Sequence, residues 1–148
     1  MSDLENAKKI LTEENCTFAA CRGDETLTST GRGVSPLLEL LDSGKNLRGW
    51  SVADRVIGRA AAFLYVLLGA EKIHAGVMSR PALEVFRRFR MDAVCDKTTD
   101  LILNRTCTGL CPMESAVLAI SDPAEAEQAI RRKLRELRGL EREHPDMP

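Results

Sequence analysis

The sequence predicts an α/β protein, a three-layer α/β/α sandwich built around a mixed sheet. Three observations carry this. The pair Gly23-Asp24 separates two short runs of strand-forming residues. The stretch from Trp50 to Leu68 is apolar almost all round, as a buried helix would be. After it, strand-like and helix-like segments alternate, the pattern of parallel β-α-β units covered by helices.

The totals set the class. A chain of 148 residues is long enough for one domain with a real core, spanning 1–148. A hydrophobic fraction of 44% with 29% charged residues is ordinary for a globular protein. A formal net charge of −1 argues against nucleic-acid binding driven by a basic field. Met1 to Glu5 has neither a basic region nor an apolar run, so no signal peptide is expected. The apolar stretch Ala60 to Ala70 is too short to span a bilayer. Five cysteines, an odd number outside any disulfide framework, read as reduced thiols and a cytoplasmic location.

The elements follow in order. Ser2 to Glu5 reads as a capping box that opens a first helix, with Leu4, Ala7, Ile10 and Leu11 on one face. Thr17 to Arg22 and Glu25 to Thr30 form a hairpin, and glycine first in its turn predicts type II′. Ser35 to Leu41 is a short helix, with Ser35 at the cap and Pro36 at its first position. Ser51 then caps the buried helix, and Asp54 stands where a capping-box acid belongs.

Lys72 to Met78 is a strand, with Ile73, Ala75 and Val77 on one face and His74, Gly76 and Met78 on the other. Ser79-Arg80-Pro81 opens a helix whose core residues are Leu83, Phe86 and Phe89. Asp92 to Asp96 is a second central strand, and Leu101 to Leu103 a third, shorter one. Cys111-Pro112 opens a helix to about Ile120. A last helix over about 123–140 carries a stripe of Ala126, Ile130, Leu134 and Leu137, with a tail at 141–148 that should fray.

This order of elements resembles the cytidine-deaminase-like fold, with a core over about 15–120. In that fold a hairpin precedes a buried helix opening with His/Cys-Ala-Glu, and a later helix opens with Pro-Cys-x-x-Cys. Val52-Ala53-Asp54 stands for the first motif, and Ser79 to Val85 for the second. Val52, Ala82 and Val85 cannot bind zinc, so no metal and no zinc-dependent deamination are expected. Three longer matches, Asp54 to Ala62, Gly76 to Ala82 and Thr108 to Glu114, resemble a small prokaryotic family of unknown function on this fold. That resemblance implies a pocket in the ancestral place. It also implies ADP-ribose or a nucleotide associated with the acid at the buried helix start.

Each candidate residue carries two readings. Asp54 is a helix-capping acid, or an acid/base or attachment point beside Arg55 and Arg59. If it only caps, Asp54→Asn should cost on the order of 1 kcal/mol. Cys111, before Pro112, is a small apolar cap or a thiolate stabilised by helix amides, with Cys107 as its resolving thiol. Cys16, Cys21 and Cys95 read as small hydrophobes on strands. His74 is a sheet-face residue or an acid/base. Ser79 is a cap whose amides could also take a phosphate. Arg32, between Gly31 and Gly33, is a solvated loop arginine or closes over an anion.

Two functions follow. The first is a binding or regulatory module holding a nucleotide- or ADP-ribose-type ligand. Ser51, Ser79 and Cys111 would mark the amide-bearing helix starts, Arg55 and Arg59 would supply positive charge, and Asp54 would contact the ribose or form a covalent link. The second is an enzyme on a nucleotide-like substrate, with Cys111 as nucleophile and Asp54 or His74 as acid/base. A subunit role, with the last helix as partner surface in a homo-oligomer or other assembly, is a third expectation.

Overall fold

The computed structural model describes residues 2–103 and 109–143. The elements are α1 (Asp3–Glu13), β1 (Phe18–Arg22), β2 (Glu25–Ser29), α2 (Ser35–Asp42), β3 (Ser51–Ile57), α3 (Arg59–Leu68), β4 (Lys72–Ser79), α4 (Arg80–Arg88), β5 (Asp92–Thr99), α5 (Pro112–Val117) and α6 (Pro123–Glu143). The five strands form one mixed sheet in the order β2-β1-β3-β4-β5. β1 runs antiparallel to both β2 and β3, whereas β3, β4 and β5 are parallel.

α1 lies on one face, where Ala7, Leu11, Cys16, Ala19, Cys21 and Ala53 make a small core. The larger core fills the other face. There Val52, Ile57, Ile73, Ala75 and Met78 of the central strands meet α2, α3, α4 and α6. The two cores need strands that are apolar on both sides, and β3 supplies one between them.

That double burial accounts for the main correction. Trp50 to Leu68 is not one helix: β3 occupies Ser51–Ile57, and α3 starts only at Arg59. A strand buried on both faces has no polar alternation, so its apolar run imitates a buried helix. Val52, Val56 and Ile57 are β-branched, and Gly58 separates strand from helix as the N-cap. Ser51 is therefore no helix cap, and Asp54 belongs to no capping box. The correspondence of Val52-Ala53-Asp54 with a deaminase helix start fails with them.

Other elements match or shift modestly. Ser2 Oγ accepts from Glu5 N at 3.1 Å, the first half of the capping box. In the hairpin turn Gly23 has φ 58, while Asp24 is not among the positive-φ residues, as type II′ requires. The cap of α2 is Val34, with Ser35 already inside. Met78 joins the larger core instead of opposing it. β5 is longer than expected and lies at the sheet edge. Leu101 to Leu103 forms no strand; Leu103 makes an isolated antiparallel bridge with Leu110. α5 ends at Val117, and α6 extends past the expected end of the last helix. Ala126 and Ile130 of the expected stripe are fully buried.

At Gly76 β4 passes close to the backbone of β3. A Cβ there would sit 3.0 Å from the Arg55 carbonyl oxygen, a backbone atom that cannot turn aside. Gly76→Ala should therefore cost about 1–3 kcal/mol, the usual range for overpacking. Urea unfolding of parent and variant reads the difference. An unchanged midpoint would mean that β3 and β4 separate freely.

Candidate functional site

A cavity of about 260 Å³ opens between the end of β3, the starts of α2 and α3, and α5. Its walls are mostly apolar, with Phe18, Val34, Leu37, Ala61, Ile102 and Met113 among them. The ionisable residues on the wall are Asp54, Arg32, Arg55, Cys111 and Glu114.

Asp54 is central. Alternation along β3 sends Asp54 toward α3 and Arg55 to the opposite face. Tyr65 Oη of α3 donates to Asp54 Oδ2 at 2.6 Å. The other carboxylate oxygen accepts from Val56 N at a long 3.4 Å. Burial raises Asp54 from an ordinary 3.8 to about 6, against the opposing pull of the Tyr65 hydroxyl and the Val56 and Arg55 amides. Burial, then the Asp54 charge, holds Tyr65 well above its ordinary value, so the phenol stays a donor. Tyr65 is fully buried and stacks on Phe18 with ring centroids 6.5 Å apart.

The guanidinium groups of the two arginines expected in the pocket bind backbone carbonyls, and of the two only Arg55 also borders the cavity. Arg55 donates through Nε to Cys16 O at 2.8 Å and through Nη2 to Leu11 O at 3.0 Å, tying β3 to the end of α1. Arg59 donates through Nε to Val117 O at 3.2 Å and through Nη2 to Ile120 O at 2.6 Å. Arg32, exposed in the loop ahead of α2, also lines the cavity, and among the described residues none of its side-chain nitrogens is tied to a carbonyl as those of Arg55 and Arg59 are. Thr17 Oγ1 holds its loop in place through Ser29 O at 3.0 Å and Gly31 O at 2.6 Å.

Glu114 was missed by the sequence reading. Its Oε1 accepts from Arg59 N at 2.7 Å and its Oε2 from Ala60 N at 2.9 Å. A carboxylate from α5 thus caps the start of α3, whose own N-cap, Gly58, has no side chain to offer. A Cβ on Gly58 would lie 2.6 Å from the Glu114 carboxyl carbon, so the glycine is what admits the cap. A glycine ahead of an apolar helix that lacks its own capping side chain was the available signal. The misplaced helix start concealed it.

Ser51, Ser79 and His74 lie apart from the cavity wall. Ser51 is buried at the start of β3. Ser79 does cap α4, its Oγ accepting from Ala82 N at 3.1 Å, but it is fully buried. His74 pairs through Nε2 with Asp96 Oδ1 at 3.0 Å. Cys111 is the N-cap of α5 and lines the cavity, as the thiol reading needs. Cys107 lies outside the described residues. Cys16 precedes β1 and, like Cys21 on it, is buried; Cys95 on β5 is partly buried.

The donor set does not fit a zinc ion. Both Glu114 oxygens are spent on amides, and Asp54 Oδ2 is held by Tyr65. Among the described residues no three His, Cys, Asp or Glu side chains gather where a metal could sit. No described helix is long and apolar enough to cross a membrane.

Comparison with known proteins adds the family. No curated protein matches the chain. A solved structure of a DUF1893 family protein (TM1506) from Thermotoga maritima superposes with a TM-score of 0.80 at 30% sequence identity. The match covers 90% of this chain and 89% of that one. The model of the family described as a domain of unknown function, DUF1893, matches residues 6–134. The chain therefore belongs to the DUF1893 family.

Proposed function

We propose that the chain is a small-molecule-binding protein on a cytidine-deaminase-like frame, working without zinc and holding a nucleotide- or ADP-ribose-type ligand against Asp54. The observation that carries this is the Asp54 carboxylate, desolvated, backed by Tyr65 and facing a mostly apolar cavity. Such groups cluster at working sites because burial penalises their charge. The sheet order, with β1 antiparallel between β2 and β3 and the remaining strands parallel, supports the deaminase-like frame.

In this reading Asp54 Oδ1 accepts from a ribose hydroxyl or a base amino group. Phe18 and Val34 flank the flat part of the ligand, and Arg32 meets a phosphate at the mouth. Thermal shift with a panel of nucleosides, nucleotides and ADP-ribose tests it. One member of the panel should raise the melting temperature of the parent and lose that effect in Asp54→Asn. Equal responses in both proteins, or none in either, would overturn the reading. Intact mass of the natively purified chain separates a bound ligand from a covalently carried one.

A second reading has its own observation: Cys111 lines the same cavity as Asp54. A thiol-dependent enzyme would use it as nucleophile. Iodoacetamide at neutral pH should then label Cys111 faster than it labels a free peptide thiol. Labelling no faster than that removes the enzyme reading.

A further inference from the structure

We propose that α5 is a hinged wall of the cavity, and that the Glu114 carboxylate on the first amides of α3 is the latch that holds it shut. The two ends of α5 are fastened differently. Its C-terminal end is anchored by Val117, fully buried, and by the Arg59 guanidinium on the Val117 and Ile120 carbonyls. Its N-terminal end carries Cys111, Met113 and Glu114, the three residues it gives to the cavity wall. There Glu114 is tied to the main body through Arg59 N and Ala60 N, and Met113 packs, partly buried, against the larger core. Among the described residues a backbone tie, Cys111 N to Ile102 O at 3.0 Å, runs to a segment outside the sheet, where Leu101 and Leu103 are about half exposed.

The latch is one carboxylate on two amides, whereas the hinge end is held by a buried side chain and by the Arg59 guanidinium together. Breaking two charge-assisted bonds at one end frees that end, while the buried Val117 keeps the other in place. Gly58 is part of the device, since only a residue without Cβ leaves space for the carboxylate. Control of ligand entry by this wall rests on the binding reading above; the movement itself does not.

Cys111 sits on the moving end and reports opening without any ligand. Two variants release the latch from opposite sides. Glu114→Gln removes the charge, and Gly58→Ala pushes the carboxylate out while leaving it intact. Labelling is followed residue by residue with a bulky fluorescent maleimide and mass spectrometry, in parent and variants at equal pH. Both variants should label Cys111 about tenfold faster, the factor expected from losing about 1.4 kcal/mol of closure. Cys16 and Cys21, buried under α1, should keep their parental rates. Unchanged labelling of Cys111 in both variants would overturn the latch. So would an equal acceleration at Cys16 and Cys21, because the whole fold would then be loosening.

Discussion

Asp54→Asn is expected to melt several degrees above the parent protein at pH 8 and at nearly the same temperature at pH 4. The sign follows from linkage. Asp54 takes up its proton near 3.8 in the unfolded chain and near 6 in the folded one. Between those values the folded state binds more protons, so its stability falls as pH rises. The contribution is complete below about pH 4 and lost as pH passes 6. A shift of that size corresponds to about 3 kcal/mol at most, and water entering the cavity reduces it to about 2 kcal/mol. Asparagine stays neutral, fits the same space and still accepts from Tyr65 Oη. In a chain of this length about 2 kcal/mol moves the melting temperature by about 5 °C. Calorimetry of both proteins at pH 4 and 8 checks it.

This reverses the effect expected of a helix cap, for which the same substitution should destabilise. A carboxylate that lowers stability at neutral pH, held by a buried phenol, points to a task other than folding. If the variant melts lower at pH 8, the Asp54 charge does not oppose folding, and the site reading weakens with it.

Glu114→Ala is expected to cost about 2–3 kcal/mol, the second large effect. The substitution leaves two amide donors at the start of α3 without a partner, next to a void where the side chain lay. Losing an ordinary N-cap costs about 1 kcal/mol. Here one carboxylate serves two donors, and only 7% of the residue is exposed. Glu114→Gln, which keeps an acceptor, should lose about half as much. Urea unfolding of the three proteins gives the order parent, Gln, Ala. An Ala variant as stable as the parent would mean that water replaces the carboxylate, and the wall formed by α5 would then have no special tie.

Much of the frame was legible because its causes are local. The type II′ hairpin follows from Gly23 between two strand-forming runs, and the start of α4 from Ser79 ahead of Pro81. Ala126 and Ile130 declared their buried face by spacing alone. These interactions close within four residues, so the chemistry that decides them lies in one short window.

β3, the site and its closure were decided by the tertiary structure. Ser51 to Ile57 became a strand because β1 and β4 flank it and cores form on both of its faces. Its own residues satisfy a buried helix as well as a buried strand. Asp54 became a cavity carboxylate because that register sends it toward Tyr65, although its sequence neighbours suggested a cap. Arg59 and Glu114 are 55 residues apart, and Arg59 reaches carbonyls up to 61 residues away. Gly58 by itself said only that the helix behind it lacked a side-chain cap. Which distant carboxylate answers that need depends on where packing places α5, because a hydrogen bond across such a separation forms only after the core has fixed both ends.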